Sequence, residues 1–135
     1  MKEVKLGCKL VAVLIFITLV LHLNSVIMPM QLIYNLRAYD SFAVFLVVIG
    51  WVFFLINLFA AIGLFRLRRW GFGTAYVAIV FSTFVFGVSY IPFFDVLFPP
   101  KYMAFATLMA NIGVLTLLIS LHMLTFEPKK KSRKK

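Results

Sequence analysis

The residues in this 135-residue chain able to do chemistry are few: Cys8, His22, His122 and the amides Asn57 and Asn111. A histidine pair can hold a metal or relay a proton, a thiolate can act as nucleophile or ligand, and amides can line a polar path. Thr18, His22 and Ser25 fall at i, i+4, i+7, on one face of a helix, and Thr107, Asn111 and His122 share one face of another. The single cysteine cannot form an internal disulfide, and without a Cys-x-x-Cys pair quinone-linked thiol oxidoreductase chemistry is excluded. No catalytic residue, cofactor site or metal site is expected, because no nucleophile–base pair or ligand cluster converges.

The elements that must position these residues follow from where the charges fall. There are 14 Lys/Arg and 4 Asp/Glu, and 64% of residues are hydrophobic. Soluble domains average about 25% charged and 45–50% apolar residues, against 13% charged here. Four long uncharged runs separate five charged clusters: 10–36, 41–65, 70–94 and 102–126. About 20 helical residues cross a hydrocarbon core of about 30 Å, so each run suits one crossing. A lipid-exposed backbone must satisfy its own hydrogen bonds, which leaves helices or closed barrels, and runs such as 42–59 do not alternate as barrel strands do. The expected fold is all-α, an integral membrane four-helix bundle with short loops and helices at about 10–28, 42–65, 71–91 and 103–125. Residues 1–126 form the transmembrane domain and 127–135 a disordered basic cytoplasmic tail.

Twelve of the fourteen basic residues lie on one side of that topology: Lys2, Lys5 and Lys9, then Arg66, Arg68 and Arg69, then Lys129, Lys130, Lys131, Arg133, Lys134 and Lys135. Cytoplasmic flanks are rich in Lys and Arg, so both termini and the middle loop are expected inside. The middle-loop arginines and the tail are expected to contact anionic lipid headgroups, each charge near the leaflet contributing about 1 kcal/mol. No nucleic acid is expected, since the tail has no interleaved aromatics. The first run starts basic but lacks a small-x-small cleavage site, which predicts an uncleaved anchor. The loops around 29–41 and 92–101 are apolar and aromatic, suited to the headgroup level or to a partner.

Small residues set the expected packing. Helix three carries Gly71, Ala75, Ala78 and Ser82 on one stripe, and helix four carries Ala106, Ala110 and Gly113 on another. Small residues at i, i+4 let helix backbones approach, which predicts tight pairing of helices three and four. Gly63 and Gly71 flank the middle turn and suit helix ends. By helical rise, His22 lies in the outer half, Asn111 near mid-depth, and Asn57 and His122 in the inner half. That spread predicts separate interhelical hydrogen bonds, with a polar pathway through His22, Asn57, Asn111 and His122 as the alternative in an oligomer.

The segment Gly63-Leu64-Phe65-Arg66-Leu67-Arg68-Arg69-Trp70-Gly71 resembles a cytoplasmic turn of small bacterial four-helix inner-membrane proteins of unknown function. The resemblance implies a bacterial inner-membrane location and transfers no activity. With no Asp, Glu, Lys or Arg inside a predicted span, ion-coupled transport, which relies on such groups, is disfavoured. The expected function is a non-enzymatic accessory or assembly subunit that meets a membrane-protein partner or itself. The alternatives are a small homo-oligomeric channel or transporter, or a holin-like pore former.

Overall fold

A computed structural model describes residues 2–23 and 41–126, with Gln31 and Asn35. The basic tail, the first loop and the 24–28 portion expected in helix one lie outside the described residues. The elements are all helical: α1 (Lys2–His22), α2 (Ser41–Phe65), α3 (Arg69–Phe81) running into a π-helical turn (Ser82–Phe86), two 3-10 turns (Asp95–Leu97 and Pro100–Tyr102), and α4 (Met103–Phe126). Four helices are long and apolar enough to cross a membrane, as a multi-pass membrane protein requires.

Each helix packs on its neighbour in the chain, and α4 closes back on α1. The closure is visible at Cys8 Sγ, 3.8 Å from Thr125 Oγ1, and at Gly7, where an added Cβ would fall 2.8 Å from the side chain of Leu121. The interior holds Val11 and Ile15 of α1, Ala60 and Leu64 of α2, Phe72, Ala75, Ala78 and Ile79 of α3, and Leu118 of α4. Large apolar side chains also face outward. Phe16, Phe45, Trp51, Phe59, Val77, Phe105 and Leu117 are exposed on all four helices. A soluble protein rarely exposes contiguous apolar patches beyond a few hundred Å², whereas a chain solvated by lipid tails has no reason to hide them.

The tightest approach is between α2 and α3. A Cβ built on Gly71 would lie 2.2 Å from the backbone carbon of Gly63, and one on Gly63 would lie 2.4 Å from the Cα of Gly71. The small stripe of α3 therefore opens it to α2, which makes the more extensive contact with α3 than α4 does. The expected tight pairing of helices three and four is corrected on that point. Ala106 and Ala110 are buried, but Gly113 lies on the exposed surface of α4 with nothing within 4 Å of an added Cβ, so it takes no part in close helix packing.

The expected use of Gly63 and Gly71 as helix ends also changes. Both stay helical, and the turn closes on Leu67 in the left-handed region, with φ 55°. Arg68 N–H donates to the Gly63 carbonyl at 3.0 Å and Leu67 N–H to the Leu64 carbonyl at 3.0 Å. This pattern is a Schellman cap, in which glycine normally takes the left-handed place. The glycines are committed to backbone approach instead.

Helix three ends five residues before the expected Ile91. Gly87, with φ 61°, caps the π turn, its N–H donating to the Thr83 carbonyl at 3.2 Å while Val88 N–H donates to the Ser82 carbonyl at 3.2 Å. Residues 87–89 then run without helical structure toward Pro92, which lacks an N–H to continue a helix.

Candidate functional site: a buried polar network

The end of α3 creates a debt that side chains must settle. Non-helical backbone at membrane depth is tolerated only where protein covers it and its polar groups are satisfied. Val88, Ser89 and Tyr90 are buried, and two of their backbone groups, the Val88 carbonyl and the Tyr90 N–H, are met from α4. Asn111 Oδ1 accepts from Tyr90 N–H at 2.8 Å, and Asn111 Nδ2 donates to the Val88 carbonyl at 2.7 Å. One amide thus pairs with the donor of one residue and the acceptor of another, as a neighbouring strand would. Its second N–H donates to Thr83 Oγ1 at 2.8 Å, and Thr83 Oγ1 donates to the Ile79 carbonyl at 2.6 Å.

Tyr90 carries the network across to α2. Its hydroxyl donates to Asn57 Oδ1 at 2.5 Å and lies 2.8 Å from Ser82 Oγ. Asn57 Nδ2 lies 3.4 Å from Ser82 Oγ and donates to the Phe53 carbonyl at 2.8 Å. With Ser82 donating to Tyr90, the three side chains close a ring: amide to serine, serine to phenol, phenol to amide. Such rings polarise their members in one direction and strengthen them together. Asn57, Ser82 and Tyr90 have no exposed surface, and Asn111 has 2%. The Tyr90 hydroxyl also has the Ala78 carbonyl at 3.1 Å.

Asn57 and Asn111, placed at different depths by sequence, are therefore joined in one network. Tyr90 joins them, its backbone N–H meeting Asn111 and its hydroxyl meeting Asn57. Tyr90 was not among the candidate residues. Its signal lay in Gly87-Val88-Ser89-Tyr90-Ile91-Pro92, where a glycine and a proline bracket a stretch in which a helix is readily broken.

The two histidines stay apart from the network. His22 Nδ1 donates to the Thr18 carbonyl at 2.9 Å, one turn back on its own helix. It borders a cavity of about 250 Å³ with Thr18, Leu21, Ser89, Pro92, Phe93 and Val96. Thr18 Oγ1 in the same helix turn is buried without a hydrogen-bond partner among the described residues. His122 lies near the other end, its Nδ1 2.8 Å from the Tyr76 hydroxyl and its ring stacked on Phe72 with centroids 4.6 Å apart. Among the described residues there is no group of three or more His, Cys, Asp or Glu that could hold a metal.

The basic residues gather at the His122 end. Lys9 Nζ sits 5.3 Å from the centroid of the Phe65 ring, and the Arg69 guanidinium lies 5.0 Å over the Phe126 ring. These contacts bring the start of α1, the α2–α3 turn and the end of α4 to one end of the molecule. Arg66 and Arg68 are exposed there. Lys129, Lys130, Lys131, Arg133, Lys134 and Lys135 lie outside the described residues. At the other end Phe93, Val96 and Leu97 are exposed apolar side chains of the loop before α4.

Among the described residues the chain is all-helical, with four helices long and apolar enough to cross a membrane, and Asn57, Ser82, Tyr90 and Asn111 bond within one buried network. Comparison with family models, with curated proteins and with solved structures gives no significant match.

Proposed function

We propose that this chain is a non-enzymatic inner-membrane four-helix bundle, with both termini cytoplasmic, that serves as an accessory or assembly subunit of a larger membrane complex. The observation that supports it most is the closure of the Asn57–Ser82–Tyr90–Asn111 network. A binding or transport site keeps buried polar groups free for its ligand, whereas here the donors and acceptors of those side chains are spent on holding helices and a helix end together. The surfaces offered to a partner are the aromatic faces of the helices, the apolar loop before α4 and the basic end. The clustering of Lys9, Arg66, Arg68 and Arg69 at one end supports the inward orientation, by the excess of Lys and Arg on cytoplasmic flanks.

Affinity purification from membranes in mild detergent is expected to recover one partner in fixed stoichiometry, and site-specific photo-crosslinkers at Phe45, Phe93 or Leu97 to join it. Isolation as a monomer with no crosslinked product would count against the reading. Ion or solute flux through liposomes holding the pure chain would favour a homo-oligomeric channel, transporter or pore former instead. Thiol labelling of a Cys8→Ala chain with cysteine at Arg68 or at Lys101 tests the orientation: residue 68 is expected to react only from the cytoplasmic side and residue 101 only from outside.

A further inference from the structure

The α1–α2 seam holds a groove of about 400 Å³, open along one side and ending at the basic end of the molecule. Its floor is small and buried, Ala12 from α1 and Ala61 from α2, while Phe16 and Ile62 stand beside it as half-exposed walls. Phe65 and Arg66 form its end. Lys9 lies one turn before Ala12 and Val13 and reaches the Phe65 ring at 5.3 Å, so a second cation stands beside the same end. Neither Arg66 nor Lys9 makes an ion pair among the described residues.

We infer that this groove holds one acyl chain of an anionic phospholipid, with Arg66 and Lys9 taking its phosphate. Three features commit it to that occupant. The first is charge: two cations with no ion pair among the described residues stand where an apolar channel meets the basic end, an arrangement complementary to an anionic head on an apolar tail. The second is width. A helix with side chains is about 10 Å across, and close helix approach needs small residues on the facing surface. Here the small residues lie at the floor between bulky walls, which admits a single hydrocarbon chain and holds a second helix away. The third is length. From Phe65 back to Leu58 is about 10 Å of helix, within the roughly 15 Å of hydrocarbon in one leaflet. The assignment separates Arg66 from Arg68 and Arg69, which the charge pattern alone treats as equivalent, and it is independent of the accessory-subunit reading.

Native mass spectrometry of the full chain released from detergent, with phosphatidylglycerol or phosphatidylcholine added, tests it. The wild type is expected to retain one phosphatidylglycerol and little phosphatidylcholine. Arg66→Gln and Lys9→Gln should each lower retention about fivefold, the equivalent of about 1 kcal/mol per charge near the surface. Val13→Trp, which fills the groove from its exposed rim, should abolish retention, while Val20→Trp on the same helix and Arg68→Gln should leave it unchanged. Cys8, buried in the folded chain, reports by its protection from a thiol dye that each variant is folded. Equal loss with Arg68→Gln, equal retention of phosphatidylcholine, or displacement by soluble glycerol phosphate would reduce the effect to surface charge and overturn the assignment. Undiminished retention in folded Val13→Trp would overturn it as well.

Discussion

Replacing Tyr90 by Phe removes one oxygen and almost no volume, so its effect isolates the ring of hydrogen bonds. The Tyr90 hydroxyl donates to Asn57 Oδ1 at 2.5 Å and faces Ser82 Oγ at 2.8 Å. In the variant Ser82 can turn back toward the Ala78 carbonyl, one turn earlier in the helix, as serines in helices do. Asn57 Oδ1 has no such recourse and is left buried without a donor, at a cost of about 1–3 kcal/mol. Interhelical hydrogen bonds in membranes average about 0.6 kcal/mol with a maximum near 1.7, because the unfolded chain in lipid also finds partners. A destabilisation of about 1.5 kcal/mol is therefore expected. Asn57→Leu alone strands less, since the Tyr90 hydroxyl keeps Ser82 and the Ala78 carbonyl at 3.1 Å. Adding Tyr90→Phe to Asn57→Leu should then cost far less than it does in the wild type, giving a coupling of about 1 kcal/mol between residues in one network. The assay is unfolding in mixed micelles with rising dodecyl sulfate, read by a thiol-reactive dye at Cys8, which is the only cysteine and is buried. Additivity of the two substitutions within 0.3 kcal/mol, the usual scatter for independent sites, would refute the ring.

Gly71→Ala and Gly63→Ala should each open the α2–α3 hairpin, since the added carbon falls 2.2–2.4 Å from backbone; chain yield in membranes and the same dye assay should both show it. Gly113→Ala meets nothing within 4 Å and should be neutral or stabilising by up to about 1 kcal/mol, as alanine is favoured over glycine in a helix. Asn111→Leu should expose the Val88 carbonyl and Tyr90 N–H, so that hydrogen exchange at Tyr90 accelerates at least tenfold while exchange within α2 is unchanged. Equal protection at Tyr90 in that variant would show that the amide is not its acceptor.

Much of the architecture was legible because it depends on charge placement, and only helices or barrels are open to a chain in lipid. The α2 and α4 boundaries follow from runs that begin and end at charges or prolines. The end of α3 was not legible in this way. Hydropathy continues unbroken through Gly87, Tyr90 and Ile91, so nothing in it marks the place where the helix stops. The small-residue stripe of α3 was visible, but its partner was not: Gly71 fits a close neighbour on either side, and only the three-residue connection 66–68 decides for α2. Tyr90 was missed because a tyrosine near a span end reads first as an interfacial anchor. Its role as a bridge depends on a chain reversal that brings it back under Asn57.

The α2–α3 contact also bears on how the chain enters the membrane. The most hydropathic window of α2 averages 2.7 and that of α3 only 1.2, the lowest of the four. Residues 66–68 give the nascent chain no slack to integrate one helix and leave the other behind. The glycine face of α3 is covered by α2 at Gly63, so the least apolar of the four helices shares its close contact with the most apolar one. The two are expected to partition into lipid as one hairpin, so the pairing bears on insertion as well as on the stability of the finished fold.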